Sequence, residues 1–223
     1  FFCSFKININ FVFQSALFME NKNYQEDLQH IRKMMEKSSR FISLSGISGV
    51  FAGLFALAGA IYVYFFFKKN GVDYFEGTVK YYEKDFIIHL VIVAMIIMVL
   101  AISSGAYFTI KKSKAHHLQI WDATTKKLLY NFAIPLGIGG LFCAGLLYHG
   151  LHGLLSPATL IFYGLALFNA GNYTFSDIKY LGLCEMALGI VSLFFLGYGL
   201  FFWAVGFGVL HIVYGLIMHK KYK

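Results

Sequence analysis

Long runs of apolar residues extend from residue 41 to residue 218, and the short segments between them hold most of the charged residues. A helix needs roughly 20 apolar residues to cross the hydrocarbon core of a bilayer. By this measure the pattern predicts an all-α polytopic membrane helix bundle of six transmembrane helices. The predicted spans cover residues 41–67, 86–110, 132–152, 155–171, 181–198 and 200–218.

The composition supports this class and excludes others. Hydrophobic residues make up 58% of the 223 residues and charged residues only 13%, so we expect the lipid bilayer to be the main partner and no separate soluble domain. The net charge of +8 comes from basic residues in the loops, where membrane topology explains them better than nucleic-acid binding. Cys3, Cys143 and Cys184 form no framework, and we predict no disulfide, zinc site or cofactor.

The first 40 residues differ from the rest of the chain. Residues 1–18 are rich in amino acids that AT-rich triplets encode and precede Met19, so we interpret them as a leader foreign to the native protein. A genuine extension or a seventh hydrophobic segment is the alternative. Residues 19–40 predict a cytoplasmic amphipathic helix, because Asn23 and Glu26 have the spacing of a capping box. That helix would lie along the membrane surface or bind a partner.

The basic residues are distributed unevenly between the two sides of the predicted bundle. Residues 19–40, the loop 111–131 and the tail 219–223 fall on one side and together hold thirteen Lys or Arg residues. On the other side, the basic residues between the first two spans are diluted by acidic ones. Because cytoplasmic loops are enriched in Lys and Arg, both termini are predicted to be cytoplasmic.

Small residues in the spans predict where helices pack closely. Ser45, Gly49 and Gly53 recur every four residues, and backbones approach one another at such ridges. Glycines also recur at an offset of 44 residues, which suggests that the second half is a tandem repeat of two helical hairpins. The offset relates Gly145, Gly153, Gly164 and Gly171 to Gly189, Gly197, Gly208 and Gly215. Gly145, Gly189 and Gly208 are therefore predicted packing positions as well.

Two ionisable residues stand inside apolar spans. Glu185 lies about four residues into the fifth span and His211 about seven residues from the end of the sixth, so the two are predicted to be in contact. An acidic residue at this depth is costly unless it is neutralised or paired. The pair is either a proton relay or ion site, or a buried hydrogen-bonded pair that fixes helix register.

Three histidines are predicted at a similar depth near the outer surface: His89, His149 and His152. Imidazoles at one level can bind a metal or supply the axial ligands of a haem. The alternative is that they belong to the interfacial belt of aromatic residues. Sequence motifs such as CxxCH or HExxH, which would favour a metal or haem site, do not occur.

Two segments carry a resemblance to a family. SSRFISLSGISGVFAGLFALAGA and the tail LGLCEMALGIVSLFFLGYGLFFWAVGFGVLHIVYGLIMHKKYK resemble an uncharacterised family of small polytopic inner-membrane proteins in Bacteroidetes-type bacteria. The resemblance covers residues 19–223. It implies a location in the bacterial cytoplasmic membrane, and it implies no particular activity.

The sequence contains no catalytic constellation, so its first functional prediction is a non-enzymatic accessory or scaffold subunit that binds other membrane subunits or itself. The alternative is a small proton-coupled transporter or channel that uses Glu185 and His211. A lesser alternative is an intramembrane haem or metal protein that uses His89, His149 and His152.

Overall fold

A computed structural model describes residues 45–71, 83–115 and 120–222, and these residues form helices joined by short turns. The predicted leader, residues 1–18, and the predicted amphipathic helix, residues 19–40, lie outside the described residues. The helices are α1 (Gly46–Lys69), α2 (Lys84–Ala115), α3 (Ala123–Tyr148), α4 (Leu155–Ala170), α5 (Asp177–Phe194), α6 (Gly199–Trp203) and α7 (His211–Lys221). A π-helical segment, Ala204–Leu210, joins α6 to α7, and we call residues 199–221 together the last helix.

Five segments of the described chain are long and apolar enough to cross a membrane. They are Gly46–Lys69, Lys84–Ala115, Ala123–Tyr148, His152–Ala170 and Leu196–Lys221. The fifth predicted span, residues 181–198, corresponds to α5, which has 18 residues and falls outside this set. The reason is chemical, because α5 contains Asp177, Lys179 and Glu185.

The helices extend further than the apolar runs predict. α2 continues to Ala115, although the predicted span ends at residue 110, and α3 begins at Ala123, although the predicted span begins at residue 132. The basic side chains in these flanks can reach water while their aliphatic stems stay near lipid. The side chain of Asp122 accepts a hydrogen bond from the backbone N–H of Thr125 and so caps α3.

α1 packs against the last helix through small residues. A methyl group added at Gly53 would lie 2.6 Å from the carbonyl oxygen of Gly208, and one added at Gly215 would lie 2.7 Å from the carbonyl oxygen of Gly46. A methyl group added at Gly49 would lie 3.4 Å from the Cα atom of Gly215, which is close to an ordinary contact distance. The predicted ridge on α1 is therefore a helix contact.

α4 and α5 form a second close pair. A methyl group at Gly164 would lie 2.6 Å from the carbonyl oxygen of Gly182, and one at Gly182 would lie 2.6 Å from the carbonyl oxygen of Gly164. A methyl group added at Gly189 would lie 3.0 Å from the backbone nitrogen of Ile161. The two backbones touch, so no larger residue fits at these positions.

Two of the predicted packing residues, Gly145 and Ser45, have surroundings that differ from those of Gly49 and Gly53. Nothing in the described part of the chain lies within 4 Å of a methyl group added at Gly145, so this glycine faces open space. The prediction failed there because a shared sequence offset does not decide which face of α3 meets a neighbour. Ser45 is the N-cap residue of α1, and its carbonyl oxygen accepts hydrogen bonds from Ser48.

α2 packs against α1 through aromatic rings. Phe51 stacks on Phe108 and Phe66 on Phe86, each with ring centroids 5.0 Å apart. Ser113 is the only buried residue of α2, so most of this helix faces away from the rest of the described chain. The buried core lies instead between α4, α5 and the last helix, where Leu160 and Glu185 are fully enclosed.

Short 3-10 turns precede α4 and α6. They comprise His152–Leu154 and Leu196–Tyr198, and the helices that follow begin at Leu155 and Gly199. The hydroxyl of Ser156 donates to the carbonyl oxygen of Gly199 at 2.5 Å, which ties the two helix starts together.

Candidate functional site

Glu185 lies in the interior of the described bundle. Its exposed fraction is 0%. The reason is local, because the buried residues of α5 follow helical spacing and Glu185 takes a position between Leu181 and Gly189 on that face. It is eight residues from the start of α5, about 12 Å along the axis, and so lies deeper than the sequence spacing predicts.

His211 meets Glu185 across the interface between α5 and the last helix. Its Nδ1 atom lies 3.3 Å from Oε1 of Glu185, as the sequence analysis predicts, and its exposed fraction is 6%. His211 is the first residue of α7, directly after the π-helical segment. Such wide turns often occur at functional sites because they redirect the side chains that follow.

The imidazole of His211 has two further partners. Nδ1 lies 3.1 Å from the carbonyl oxygen of Gly206, and Nε2 lies 2.7 Å from the hydroxyl of Tyr163. A carbonyl oxygen can only accept, so this geometry assigns the hydrogen to Nδ1. In a neutral imidazole Nε2 then accepts from the Tyr163 hydroxyl. These four groups, Tyr163, Glu185, Gly206 and His211, form what we call the polar cluster.

Tyr163 is the residue that sequence reasoning missed. Tyrosines of membrane proteins are enriched in interfacial belts, where the ring lies in lipid and the hydroxyl in water. Tyr163, however, lies in the middle of α4 and not at its end. A tyrosine at mid-span needs a hydrogen-bond partner inside the protein, and that position was the available signal.

The carboxylate of Glu185 is unusual in its surroundings. Neither of its oxygens has a well-aligned hydrogen bond among the described residues, although Oε1 lies close to His211. A methyl group added at Gly206 would lie 2.5 Å from Oε2, so the missing side chain of Gly206 makes room for the carboxyl group. A negative charge here has few donors to replace water, and its natural counter-charge is a protonated His211.

Aromatic rings surround the polar cluster and exclude water. The ring of Tyr163 lies 4.9 Å from that of Phe207 and 6.1 Å from that of Phe132. Trp203 packs on Phe207 at 5.0 Å. In such a setting a single proton can be held as a carboxylate with an imidazolium, or as a carboxylic acid with a neutral imidazole. The arrangement can therefore bind and pass on one proton.

The three outer histidines do not come together. His89 on α2 lies 2.9 Å from the hydroxyl of Tyr62 and stacks on Phe66, both residues of α1. His149 follows α3 and packs edge-on against Tyr148, and His152 starts a 3-10 turn. Across the described ranges no three His, Cys, Asp or Glu residues are placed to hold a metal ion. The predicted cluster fails because α2 packs on α1, whereas α3 packs on α4.

Comparison with protein-family models, with curated proteins and with solved structures finds no match for this chain. Function must therefore be argued from the polar cluster itself.

Proposed function

We propose that this protein is a small proton-coupled transporter or channel of the membrane, and that Glu185 and His211 are its proton-binding pair. The observation that carries this proposal is a fully buried carboxyl group within 3.3 Å of an imidazole, without well-aligned hydrogen bonds to its oxygens from the described residues. Ionisable residues inside membrane spans commonly mark proton or ion pathways.

The chemistry of the pair favours a proton over a metal ion. One carboxyl group and one imidazole supply too few ligands for a metal, and no third His, Cys, Asp or Glu among the described residues completes a site. The Tyr163 hydroxyl holds the imidazole through Nε2, so Nδ1 stays directed toward Gly206 and Glu185. In the imidazolium both ring nitrogens carry a hydrogen, and the proton on Nδ1 would pass to Glu185, which leaves a carboxylic acid and a neutral imidazole whose Nε2–H donates to the Tyr163 hydroxyl. The proton would return from the carboxylic acid to the vacated Nδ1.

The test is proton flux in liposomes that contain the purified protein, an entrapped pH dye and an imposed pH gradient. The wild-type protein should dissipate the gradient faster than empty liposomes, and Glu185→Gln should abolish the difference because its amide cannot carry the proton. Lys220→Gln is the matched control, since it removes a charge from an exposed position. If Glu185→Gln folds normally and conducts like the wild type, the proposal is wrong.

A second readout separates proton binding from transport. In infrared difference spectra between acid and neutral pH, the wild-type protein should show the band of a protonated carboxyl group that is missing in Glu185→Gln. If neither this band nor proton flux is found in the wild-type protein, the pair has only a structural role.

The proposal places this protein in the bacterial cytoplasmic membrane, with six spans and both termini in the cytoplasm. α5 would be the fifth of these six spans, because its 18 residues extend about 27 Å, close to the thickness of the hydrocarbon core. An even number of spans agrees with the excess of basic residues on one side. A tandem repeat of two hairpins would fit the two 3-10 turns, whose first residues, His152 and Leu196, are 44 positions apart.

A second candidate function is an accessory or scaffold subunit, and α2 is the observation that favours it. This helix exposes a continuous apolar surface and buries only Ser113. Ala94→Trp should have little effect if this surface faces lipid, but it should disrupt the contact if a partner packs closely on the surface. The function predicts a stoichiometric membrane partner that co-purifies in mild detergent and is lost with Ala94→Trp. Purification of this chain alone from several detergents would argue against it.

A further inference from the structure

The helices around the polar cluster form two tightly joined pairs. In the first pair, α4 and α5 touch backbone to backbone at Gly164 and Gly182. In the second pair, α1 and the last helix do so at Gly53 and Gly208. Close contacts between backbones leave little freedom for one helix to move against the other, so each pair behaves as a unit.

The interface between α5 and the last helix has a different character, because side chains bridge it. Glu185 faces His211, and Sγ of Cys184, the preceding residue of α5, lies 3.6 Å from the hydroxyl of Tyr214 on α7. The polar cluster therefore lies on the boundary between the two pairs. A relative movement of the pairs would change the surroundings of Glu185 first.

An apolar layer closes this boundary between the polar cluster and the end of the bundle where α5 begins. Leu181 of α5 and Met218 of α7 are each 4% exposed, and Ile178 and Leu167 complete the layer at 7% each. Tyr222 and Phe175 pack against its outer side. We call these four buried residues the plug, because they separate Glu185 from the polar groups at the helix ends.

Polar groups fasten the two pairs together beyond the plug. The hydroxyl of Tyr222 donates to Oδ2 of Asp177 at 2.6 Å, and Nζ of Lys221 lies 3.0 Å from both carboxylate oxygens. Phe175 stacks on Tyr222 with centroids 3.9 Å apart, and Nζ of Lys112 donates to the carbonyl oxygen of Tyr222 at 3.3 Å. We call the contacts of Asp177 with Lys221 and Tyr222 the latch.

The partners in the latch contribute unequally. Lys221 is half exposed, so water screens its ion pair with Asp177. The short hydrogen bond from Tyr222 is more protected, because the tyrosine ring is held by Phe175. Asp177 accepts hydrogen bonds from both Lys221 and Tyr222, so both partners stabilise its carboxylate form.

We propose that the two helix pairs separate at this end to open a water path through the plug to Glu185, and that the latch holds this gate closed. The inference rests on the proposed function, because the gate matters only if Glu185 exchanges protons. It adds the route of access and the element that controls it. Opening requires no change within either glycine-joined pair.

Cys184 provides a reporter, because it lies about one turn deeper in α5 than Leu181 of the plug and its thiol is only partly exposed. The experiment uses the full chain with Cys3→Ser and Cys143→Ser in lipid nanodiscs, and it measures the rate at which a charged thiol reagent modifies Cys184. A charged reagent does not reach the thiol through lipid. Asp177→Asn should accelerate labelling about tenfold, because the amide oxygen is a weaker acceptor than the carboxylate and has no charge to hold Lys221.

Two further variants keep the test decisive. Tyr222→Phe removes one hydroxyl while keeping the ring that stacks on Phe175, and it should accelerate labelling by a smaller factor. Lys220→Gln removes a charge beside the latch and should leave the rate unchanged. If Asp177→Asn and Tyr222→Phe both elute as folded protein and label at the background rate, the gate proposal is wrong.

The outcomes also distinguish the gate from the proposed function. Loss of proton flux in Glu185→Gln without any change of labelling in the latch variants would retain the proton site and remove the gate. Faster labelling in the latch variants, together with unchanged flux in Glu185→Gln, would mean that the interface opens but that Glu185 does not carry the proton.

Discussion

At the scale of single residues, the site depends on what surrounds each polar atom. Glu185 is enclosed because Gly206 has no side chain, and His211 is held in one orientation because Gly206 and Tyr163 occupy both of its ring nitrogens. Neither condition is a property of Glu185 or His211 themselves. Small changes at Gly206 and Tyr163 should therefore test the site without removing its ionisable groups.

Gly206→Ala should destabilise the protein, because the new methyl group would lie 2.5 Å from both Oε2 of Glu185 and Cδ2 of Leu160. We expect a loss of about 1–3 kcal/mol in the free energy of unfolding. Gly145→Ala is the control, since its methyl group meets open space, and it should stabilise helix α3 by up to about 1 kcal/mol. Thermal unfolding of both variants in the same detergent measures the difference. Equal melting temperatures would contradict the close fit at Gly206.

Tyr163→Phe should remove the hydrogen bond to Nε2 of His211 and keep the packing of the ring. The expected loss is about 0.5–1.5 kcal/mol in the free energy of unfolding. Tyr130→Phe, at an exposed position of α3, should change stability by far less. The same two variants also serve in the proton-flux assay, where only Tyr163→Phe should alter the pH profile. If both variants behave like the wild type, Tyr163 does not position His211.

At the scale of elements, helix ends and helix contacts follow different rules. The ends are fixed by local chemistry, as at α3, where Asp122 accepts from both the backbone N–H and the hydroxyl of Thr125. The contacts are fixed by where two backbones can meet, as at Gly164 and Gly182. A helix in this chain can therefore begin well outside the apolar run that crosses the membrane.

Stability should depend on the protonation of Asp122. Hydrogen bonds from the side chain and backbone of Thr125 lower the pKa of Asp122 below 3.8. A lowered pKa in the folded state means that the cap stabilises the protein above this usual value and that the contribution is lost as the pH falls through the lowered pKa. Asp122→Asn keeps a capping oxygen but cannot titrate.

The stability difference between wild type and Asp122→Asn should therefore stay constant above about pH 5. As the pH falls further, through the lowered pKa of Asp122, the wild type should lose stability relative to the variant. Asp122→Ala should cost about 0.5–2 kcal/mol at neutral pH, because no side-chain oxygen remains to cap the helix. Unfolding curves of the three proteins over a pH series provide the measurement. A difference between wild type and Asp122→Asn that is constant with pH would contradict the role of the carboxylate.

At the scale of the whole molecule, the described chain combines two closely joined helix pairs with two further helices, α2 and α3. The α4–α5 pair and the pair of α1 with the last helix enclose the polar cluster, whereas α2 lies against α1 and buries little of its surface. This distribution is compatible with a bundle whose outer surface faces lipid.

The proposed topology predicts the location of tags. A fusion at Lys223 should report the cytoplasm, and a cysteine placed in the segment 72–82 should react with a membrane-impermeant reagent added outside intact cells. Both results follow from an even number of spans with the basic segments inside. A cysteine at Ser176 should react only from the cytoplasmic side if α5 spans the membrane. Labelling of this cysteine from outside would require a different number of spans.

The sequence by itself determined the all-helical class, the approximate place of the long helices and the two ionisable residues of the site. The hydrophobic length and the charge of a segment are local properties, and they decide whether that segment can cross a bilayer. The same reasoning found the ridge on α1, because four-residue spacing places Gly49 and Gly53 on one face of a helix. It also found Glu185 and His211, because charge is conspicuous within an apolar run.

Only the tertiary structure decided which faces meet. It placed Tyr163 on His211, left Gly145 without a close neighbour and separated His89 from His149 and His152. These outcomes depend on the rotation of each helix and on which helix is its neighbour. One apolar side chain can replace another where a helix faces lipid. The hydrophobic pattern along the chain therefore carries little information about the rotation of a helix or about its neighbour. The contacts at the small residues and at the polar cluster select one arrangement.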